Sequence, residues 1–374
     1  MTRGPSTGRL DRAEPLANPA RARRGNGMRR LWAAGAAIVI CLPLGGTVVA
    51  QDRPPDPTGA DRAPWPSAGC GGPPASAGTT QDSMEVGDLT RSWSTHVPPA
   101  HDGQTPLPLV IQLHGNGSDA TFMEGYTGLD ALGDEQGFVT VTPEGRGQVQ
   151  RWIYEFDERG WDVAATNPDV LFVGALIDRL GEQLCLDLAR IYVTGISNGG
   201  QAATALACVL DERIAAIAPV AGVVDSGSIC NTVRPVPMLA FYGREDPIAL
   251  FEGGLAPFVA ESPTEVGTSL GDLPMAVAFE GRVTNRVAGI AERYGCGPDP
   301  TTELVAEHVE RTSYACPADA DVALIVATDG GHAWPGAPLP PEMEAMQGPT
   351  NMEIDASRTM WDFFVQHALP EATE

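Results

Sequence analysis

The fold is decided by the stretch Gly195-Ile196-Ser197-Asn198-Gly199, which directly follows the apolar run at 191–194. Small residues, mostly Gly and Ala, then dominate the chain as far as Ala207. A strand that turns sharply into a helix needs glycine on both sides of the turn residue, because backbone and helix approach closely there. We therefore predict a strand–turn–helix unit that exposes the Ser197 hydroxyl. The alternative is a glycine-rich turn in which the serine is incidental.

Short apolar runs alternate with helical stretches on both sides of this unit. One helix is clear between the second and third runs: Asn167 can cap it, Pro168 lies in its first turn, and apolar residues recur at helical spacing from Val170 to Leu184. This alternation predicts an α/β fold with a mainly parallel, doubly wound sheet and helices on both faces. The predicted buried strands are 109–113, 138–141, 191–194, 214–220, 237–241 and 322–327.

A serine hydroxyl becomes a good nucleophile only when a base accepts its proton. His332 lies just past the last predicted strand, in Asp329-Gly330-Gly331-His332. Loops at the carboxyl ends of parallel strands line the crevice of such a sheet, so His332 is the candidate base. His308 lies in a polar run and His367 in a predicted surface helix, and both are interpreted as structural.

The acid that orients the base should lie between Ser197 and His332 in the chain, since this kind of turn orders its triad as serine, acid, histidine. Asp246 follows the predicted strand 237–241 and precedes Pro247, and Glu245 is its competitor. The acid would hold the imidazole tautomer and stabilise the imidazolium that forms.

A second glycine-rich loop, His114-Gly115-Asn116-Gly117, follows the first predicted strand. Backbone amides of this loop and of the residue after the nucleophile are suited to hold an oxyanion. We therefore expect the N–H groups of Asn198 and of Asn116, or a neighbour of Asn116, to be the donors. A structural hydrogen bond suits His114 better than a catalytic role.

These stretches resemble the secreted polyhydroxybutyrate depolymerase and feruloyl/acetylxylan esterase family, over about residues 86–370. Beyond the motifs above, the resemblance rests on Ala218-Pro219-Val220-Ala221-Gly222, Gly243-Arg244-Glu245-Asp246-Pro247, Gly330-Gly331-His332-Ala333-Trp334-Pro335-Gly336, Asp355-Ala356 and Trp361-Asp362-Phe363-Phe364. It implies an α/β-hydrolase fold and a secreted serine carboxylic-ester hydrolase with the triad Ser197, Asp246 and His332.

The sequence departs from the family pattern at three places. Tyr242 stands where the family commonly has His, Asp329 replaces a glycine, and 252–275 matches no stretch of the family. These departures leave the triad residues in place. They affect the expected substrate, because loops around the crevice form the pockets for the acyl and alcohol groups. Rival functions are a peptidase or acyltransferase on the same fold, or a non-catalytic binding protein.

Aromatic residues on the predicted crevice loops are candidates for substrate contacts. Trp334 is the best candidate for a wall that stacks on a sugar or phenyl ring, whereas Trp152 and Trp161 fit a loop anchor at least as well. The acidic residues Glu144, Asp157 and Glu158 are interpreted as solvated surface. No metal and no cofactor is expected.

The chain has 374 residues, 43% of them hydrophobic, and a formal net charge of −24. This composition excludes a polytopic membrane protein, and the charge excludes a general nucleic-acid binder. Eight of the 24 basic residues and two of the 48 acidic ones lie in residues 1–50, so residues 51–374 carry a net charge of −30. Such a surface favours neutral or cationic partners. The expected partner is a neutral ester, polymer-linked or polysaccharide-linked, with no nucleic acid and no stable protein partner.

Residues 1–50 have the organisation of an export signal: arginines precede an uncharged stretch, 31–50, that ends in small residues. Cleavage is predicted near Ala50, with Met28 as an alternative start. The alternative for the stretch itself is a membrane anchor; lipidation at Cys41 is disfavoured because Ile40 is large. The mature protein should then have a Pro/Gly-rich linker or arm at 51–82 and a catalytic domain at 83–374, with a candidate lid at 252–275.

Six cysteines remain after the signal, and an even number in an exported chain predicts three disulfides with fifteen pairings. Cys296 with Cys316 closes the most economical loop and Cys208 with Cys230 the next, which leaves Cys70 with Cys185.

Overall fold

A computed structural model describes residues 62–152, 166–225, 227, 230, 232–257 and 281–370. They all belong to one structural unit, Pro55–Glu374; the other unit, Met1–Pro54, lies outside the described residues. No helix in the described part of the chain is long and apolar enough to cross a membrane. Several sequence predictions therefore fall outside the described residues: the signal with Met28, Cys41 and Ala50, the linker before residue 62, Asp157, Glu158, Trp161, and 258–275 of the candidate lid.

Within the described ranges, the strands form a ten-stranded sheet in the order β1-β2-β4-β3-β5-β6-β7-β10-β9-β8. The strands are β1 (Gly78–Val86), β2 (Leu89–Val97), β3 (Leu107–Leu113), β4 (Val139–Pro143), β5 (Leu186–Ile196), β6 (Ala216–Val220), β7 (Met238–Gly243), β8 (Thr301–Ala306), β9 (Val309–Ser313) and β10 (Val322–Ala327). The helices are α1 (Ala120–Thr127), α2 (Leu129–Gln136), α3 (Pro168–Gln183), α4 (Asn198–Val209), α5 (Val283–Arg293), α6 (Pro341–Gln347) and α7 (Ala356–Phe364).

The six central strands from β4 to β10 in that order run parallel to one another and are almost entirely buried. They correspond to the six runs predicted from the sequence. This mainly parallel sheet confirms the predicted α/β-hydrolase fold. Its central strands are continuous apolar runs because a sheet covered on both faces buries both sides of each strand.

The edges of the sheet were not predicted. A hairpin of β1 and β2 pairs antiparallel with β4, and a hairpin of β9 and β8 pairs antiparallel with β10. Both outermost strands are largely exposed, so they lack the continuous buried apolar runs that mark the central strands. Each hairpin turns in two residues, since Val86 pairs with Leu89 and Ala306 with Val309.

Helix α3 forms as the sequence predicts. The Asn167 side chain accepts a hydrogen bond from the Asp169 N–H, and Pro168 occupies the first turn. The predicted apolar face is buried, with Val173 and Ile177 fully inaccessible. Burying side chains of this size stabilises the fold by about 1.5–3 kcal/mol each.

The structure pairs Cys70 with Cys185, Cys208 with Cys230, and Cys296 with Cys316. These are the three pairs that the sequence favoured. Cys70 belongs to an arm that runs along the start of β5, where the Ser67 hydroxyl donates to Leu184 O (2.7 Å) and accepts from Leu186 N (2.9 Å). The predicted linker at 51–82 is thus an ordered arm from residue 62 onward, and β1 begins within it at Gly78.

Candidate active site

Ser197 stands between β5 and α4 in a strained conformation. Its φ of 56° and ψ of −120° lie in a region that residues with a side chain rarely occupy, at a cost of about 1–3 kcal/mol. Hydrogen bonds on both sides maintain it: Ser197 N donates to Val220 O (2.9 Å), and Gln201 N donates to Ser197 O (3.0 Å). The turn has the geometry predicted from the glycine–serine–glycine pattern.

Close backbone contacts join this turn to the loop that follows β3. A side chain at Gly199 would overlap Leu113 O and place its Cβ 2.6 Å from His114 O. A Cβ built on Gly115 would lie 3.6 Å from Ser197 Cβ. The predicted oxyanion loop therefore touches the candidate nucleophile, and only glycine at position 199 permits that approach.

The candidate base and acid meet directly. His332 Nδ1 lies 2.7 Å from Asp246 Oδ2, and both side chains are buried. The other carboxylate oxygen, Asp246 Oδ1, accepts the N–H groups of Ile248 and Ala249, each at 2.8 Å. Glu245, the competing acid, is exposed and donates its backbone N–H to Gly330 O (2.9 Å).

The loops that hold these two residues pack against each other. A side chain at Gly243 would overlap the carbonyl oxygens of Gly330 and Gly331. His332 N donates in turn to Gln347 O at 2.6 Å, so the last residue of α6 supports the histidine loop. The imidazole is thus fixed by its own backbone as well as by Asp246.

Ser197, Asp246 and His332 each follow the carboxyl end of a parallel strand, on β5, β7 and β10 respectively. Strand β6 separates the first two of these strands, and β7 pairs with β10. Among the described residues, no hydrogen bond joins Ser197 to His332; such contacts often tighten only when substrate binds.

The predicted oxyanion donors belong to two segments, the start of α4 and the loop after β3. Asn198 is the first residue of α4, so its N–H has no acceptor within the helix. Asn116 is exposed on the loop after β3. His114 is structural, as expected: Nδ1 bonds Gly115 O (2.7 Å) and Nε2 accepts Gly145 N–H (2.9 Å), while burial lowers the pKa of the imidazole.

The structure contradicts two minor predictions. Trp334 is 1% exposed, and its indole N–H donates to Ser357 Oγ (3.0 Å), so it packs in the core and offers no face for stacking on a substrate. Glu144 is only partly solvated: its side chain is half-buried, its carboxylate accepts the Ala120 N–H (3.2 Å), and burial raises its pKa. Both errors arise because the sequence does not show how deeply a loop residue is covered.

Tyr126 was missed by sequence reasoning. Its hydroxyl accepts the Trp334 backbone N–H (2.8 Å), two residues beyond the candidate base, and burial raises its pKa to about 12. It lies in α1, more than two hundred residues from Trp334 in the chain, and no local pattern signals that contact.

Among the described residues, one group of three side chains has the spacing to hold a metal: Glu307, His308 and Glu353. It contains none of the triad residues, and His308 Nδ1 is 2.6 Å from Glu353 Oε1. This ion pair raises the pKa of His308 and so favours the protonated imidazole, which cannot bind a metal through that nitrogen.

Comparison with known proteins finds a matching family model and several similar esterases. The family model "Esterase PHB depolymerase" matches residues 91–263, a range that contains Ser197 and Asp246. The predicted resemblance to these esterases is confirmed. A putative esterase, NocK, from Nocardia uniformis subsp. tsuyamanensis is 28% identical to this chain over 304 residues, which cover 78% of the chain and 84% of that protein.

Two further matches cover very different shares of their own length. Feruloyl esterase B from Piromyces equi is 26% identical over 73% of the chain, but the match spans only 44% of that protein. The solved structure of an acetyl xylan esterase from Aspergillus awamori is 14% identical and has a TM-score of 0.49. The matched region covers 68% of this chain and 94% of the esterase chain. The family model and the curated relatives carry esterase names, and they confirm the predicted enzyme class, an ester hydrolase.

Proposed function

We propose that the protein is a secreted serine carboxylic-ester hydrolase of the polyhydroxybutyrate depolymerase or feruloyl esterase type. The observation that carries the proposal is the buried hydrogen bond between His332 and Asp246, at the same edge of the sheet as the strained Ser197. An imidazole held by a carboxylate, at the same edge of the sheet as a half-buried serine, is suited to acyl transfer.

In the proposed reaction, Ser197 Oγ attacks the ester carbonyl and its proton passes to His332 Nε2. Asp246 accepts the Nδ1 proton in a hydrogen bond, which fixes the tautomer and stabilises the imidazolium. The tetrahedral intermediate collapses, and His332 returns the proton to the departing alcohol. Water then attacks the acyl-serine, again with His332 as base, and the carboxylic acid leaves while Ser197 regains its proton.

Two backbone amides are proposed to hold the oxyanion that forms in both steps. Asn198 N–H is available because it begins a helix, and that end of the helix also carries a partial positive charge. Asn116 N–H, or that of its neighbour Gly115, would supply the second bond. Losing one such donor typically lowers kcat about 100- to 1,000-fold.

The proposed substrate class is a neutral polymeric or oligomeric ester. The net charge of −24 disfavours polyanions. Relatives named as a feruloyl esterase and as a bifunctional acetylxylan esterase/xylanase support esters attached to polysaccharide. Secretion is proposed from the signal organisation of residues 1–50, with cleavage near Ala50 and no lipid on Cys41; N-terminal sequencing of exported protein would test it.

The test compares purified wild type with Ser197→Ala on a small activated ester, polyhydroxybutyrate, an acetylated xylan and a feruloylated arabinoxylan. Wild type should hydrolyse the small ester and one polymer, and it should react with a fluorophosphonate probe. Ser197→Ala should lose both properties while keeping its melting temperature. A variant that retained more than about a tenth of the wild-type rate would remove Ser197 as the nucleophile. Preference for an amide or for transfer to an alcohol would favour the peptidase or acyltransferase alternatives.

A further inference from the structure

Trp152 makes an unusual pair of hydrogen bonds with the residue that follows the candidate nucleophile. Its backbone N–H donates to Asn198 Oδ1 (2.7 Å), and its backbone carbonyl accepts from Asn198 Nδ2 (3.1 Å). The amide side chain of Asn198 therefore bonds the Trp152 backbone in the way one strand bonds another. Both residues are buried, so water does not compete for these bonds.

The indole of the same tryptophan reaches the other side of the predicted oxyanion site. Trp152 Nε1–H donates to His114 O (3.0 Å), and the two rings lie 5.3 Å apart. His114 is itself fixed at both nitrogens. Because Gly115 O only accepts and Gly145 N–H only donates, the proton lies on Nδ1 and Nε2 is the acceptor. Burial lowers the pKa of His114 and so favours this neutral form.

We propose that Trp152, the Asn198 side chain and His114 form a brace that sets the spacing of the two oxyanion donors. The donors belong to different segments, the loop after β3 and the start of α4, and Trp152 bonds both. The inference rests on the proposed function and names positioning residues within it: none of the three side chains contacts the reacting atoms.

The physical reason for such a brace is that an oxyanion site works only while its donors stay in place. Stabilisation requires N–H groups about 2.7–3.1 Å from the position of the oxyanion, and a displacement of about 1 Å can cost about 100-fold in rate. The close contact at Gly199 limits how near the two segments come. That contact does not stop the two segments from moving apart. The hydrogen bonds through Trp152 oppose such a separation.

The decisive variant is Trp152→Phe, which keeps an aromatic ring and the backbone bonds to Asn198 but removes the donor to His114 O. The matched control is Tyr192→Phe. Tyr192 is fully buried, and its hydroxyl donates to a backbone carbonyl, His367 O (2.8 Å), on β5 away from the oxyanion loop. Both variants lose one buried hydrogen bond to a main-chain oxygen, so both should lower the melting temperature.

The variants should differ in catalysis on a small activated ester. For Trp152→Phe we expect kcat to fall about 10- to 100-fold with KM within about threefold, because the loss affects the transition state rather than substrate binding. Inhibition by phenylboronic acid, whose tetrahedral serine adduct carries an oxygen in the oxyanion site, should weaken by a similar factor. Tyr192→Phe should keep kcat and boronate affinity within about twofold.

A second variant, Asn198→Ala, removes the other end of the brace and keeps the backbone N–H. It should lower kcat to a similar extent, and the double variant with Trp152→Phe should be little worse than either single one, because the two bonds act in series. If Trp152→Phe and Asn198→Ala match Tyr192→Phe in kcat and boronate affinity, the brace is refuted. If wild type itself neither hydrolyses esters nor reacts with the fluorophosphonate probe, the proposed function fails instead, and this outcome is separate from the first.

Discussion

Two neighbouring carboxylates, Glu245 and Asp246, follow β7, and their surroundings separate their roles. Asp246 is buried, with one oxygen on His332 and the other on two backbone amides, whereas Glu245 is exposed. Asp246→Asn should lower kcat about 10,000-fold, because the amide no longer favours the required tautomer. Glu245→Gln is the control and should stay within about threefold of wild type. Both kcat values are measured by ester hydrolysis. A larger loss for Glu245→Gln than for Asp246→Asn would make Glu245 the acid.

Asp130 offers a prediction for stability against pH. Burial raises the pKa of its carboxyl, so the folded state binds a proton more tightly than the unfolded chain does. At a pH above the pKa of the folded state, the charged carboxylate therefore lowers the stability of the fold. This loss of stability disappears as the pH falls to the pKa of the unfolded chain. Asp130→Asn keeps an oxygen to accept from Thr140 Oγ1.

The Asp130→Asn variant should consequently melt at a higher temperature than wild type at pH 8, with the difference shrinking toward pH 4. Thermal denaturation followed by circular dichroism at a series of pH values measures it. A variant that melts lower than wild type at every pH would show that the carboxylate is stabilising.

At the scale of elements, the turn from β5 into α4 depends on the absence of a side chain at Gly199. Gly199→Ala should abolish ester hydrolysis and lower stability by several kcal/mol, since the methyl group overlaps Leu113 O. Gly125→Ala in α1 is the control, because nothing lies within 4 Å of the added methyl. That change should be neutral or stabilise by up to about 1 kcal/mol. Urea denaturation compares the two, and equal effects would refute the close approach.

The stem of the candidate lid is a second element with a testable geometry. Val283 N–H donates to Phe251 O (3.0 Å), and Glu252 pairs with Arg282 (2.6 Å). The chain therefore leaves and re-enters the fold at one place. Replacing 258–280 with a short Gly/Ser linker should keep the melting temperature within a few degrees, because closing a shorter loop costs little entropy. The lid hypothesis further predicts an altered preference among acyl chain lengths, and an unchanged substrate profile would refute it.

At the scale of the molecule, the three disulfides cross-link very different lengths of chain. Cys70–Cys185 spans 115 residues, whereas Cys296–Cys316 spans 20. In the chain-entropy description a longer closed loop restricts the unfolded state more, so stabilisation of about 4–5 kcal/mol is expected for the first and about 3 kcal/mol for the second. Paired Cys→Ala variants, compared by urea denaturation, should show the larger loss for Cys70 with Cys185. A larger loss for Cys296 with Cys316 would show that the disulfides stabilise mainly through the folded state and not by restricting the unfolded chain.

The sequence by itself determined the features that depend on local chemistry and periodicity. The continuous apolar runs of the central strands predict a sheet covered on both faces, and Asn167-Pro168 predicts the start of α3. The pattern around Ser197 predicts a strained turn because only glycine permits the approach of helix to strand. Asp246 and His332 were predicted for a similar reason: each follows a buried strand, and parallel strands end at the same edge of a sheet.

Only the tertiary structure decided the features that depend on burial and on contacts between distant segments. The outermost strands β1 and β8 are largely exposed, and their hairpins become part of the sheet through pairing of β2 with β4 and of β9 with β10. Trp334 and Trp152 were both placed on crevice loops, and Trp334 was expected to face the substrate; in the structure Trp334 anchors the core beside Ser357, and Trp152 bonds both Asn198 and His114 O. A loop residue's role follows from which segments cover it, because burial removes competing water and gives each hydrogen bond its strength.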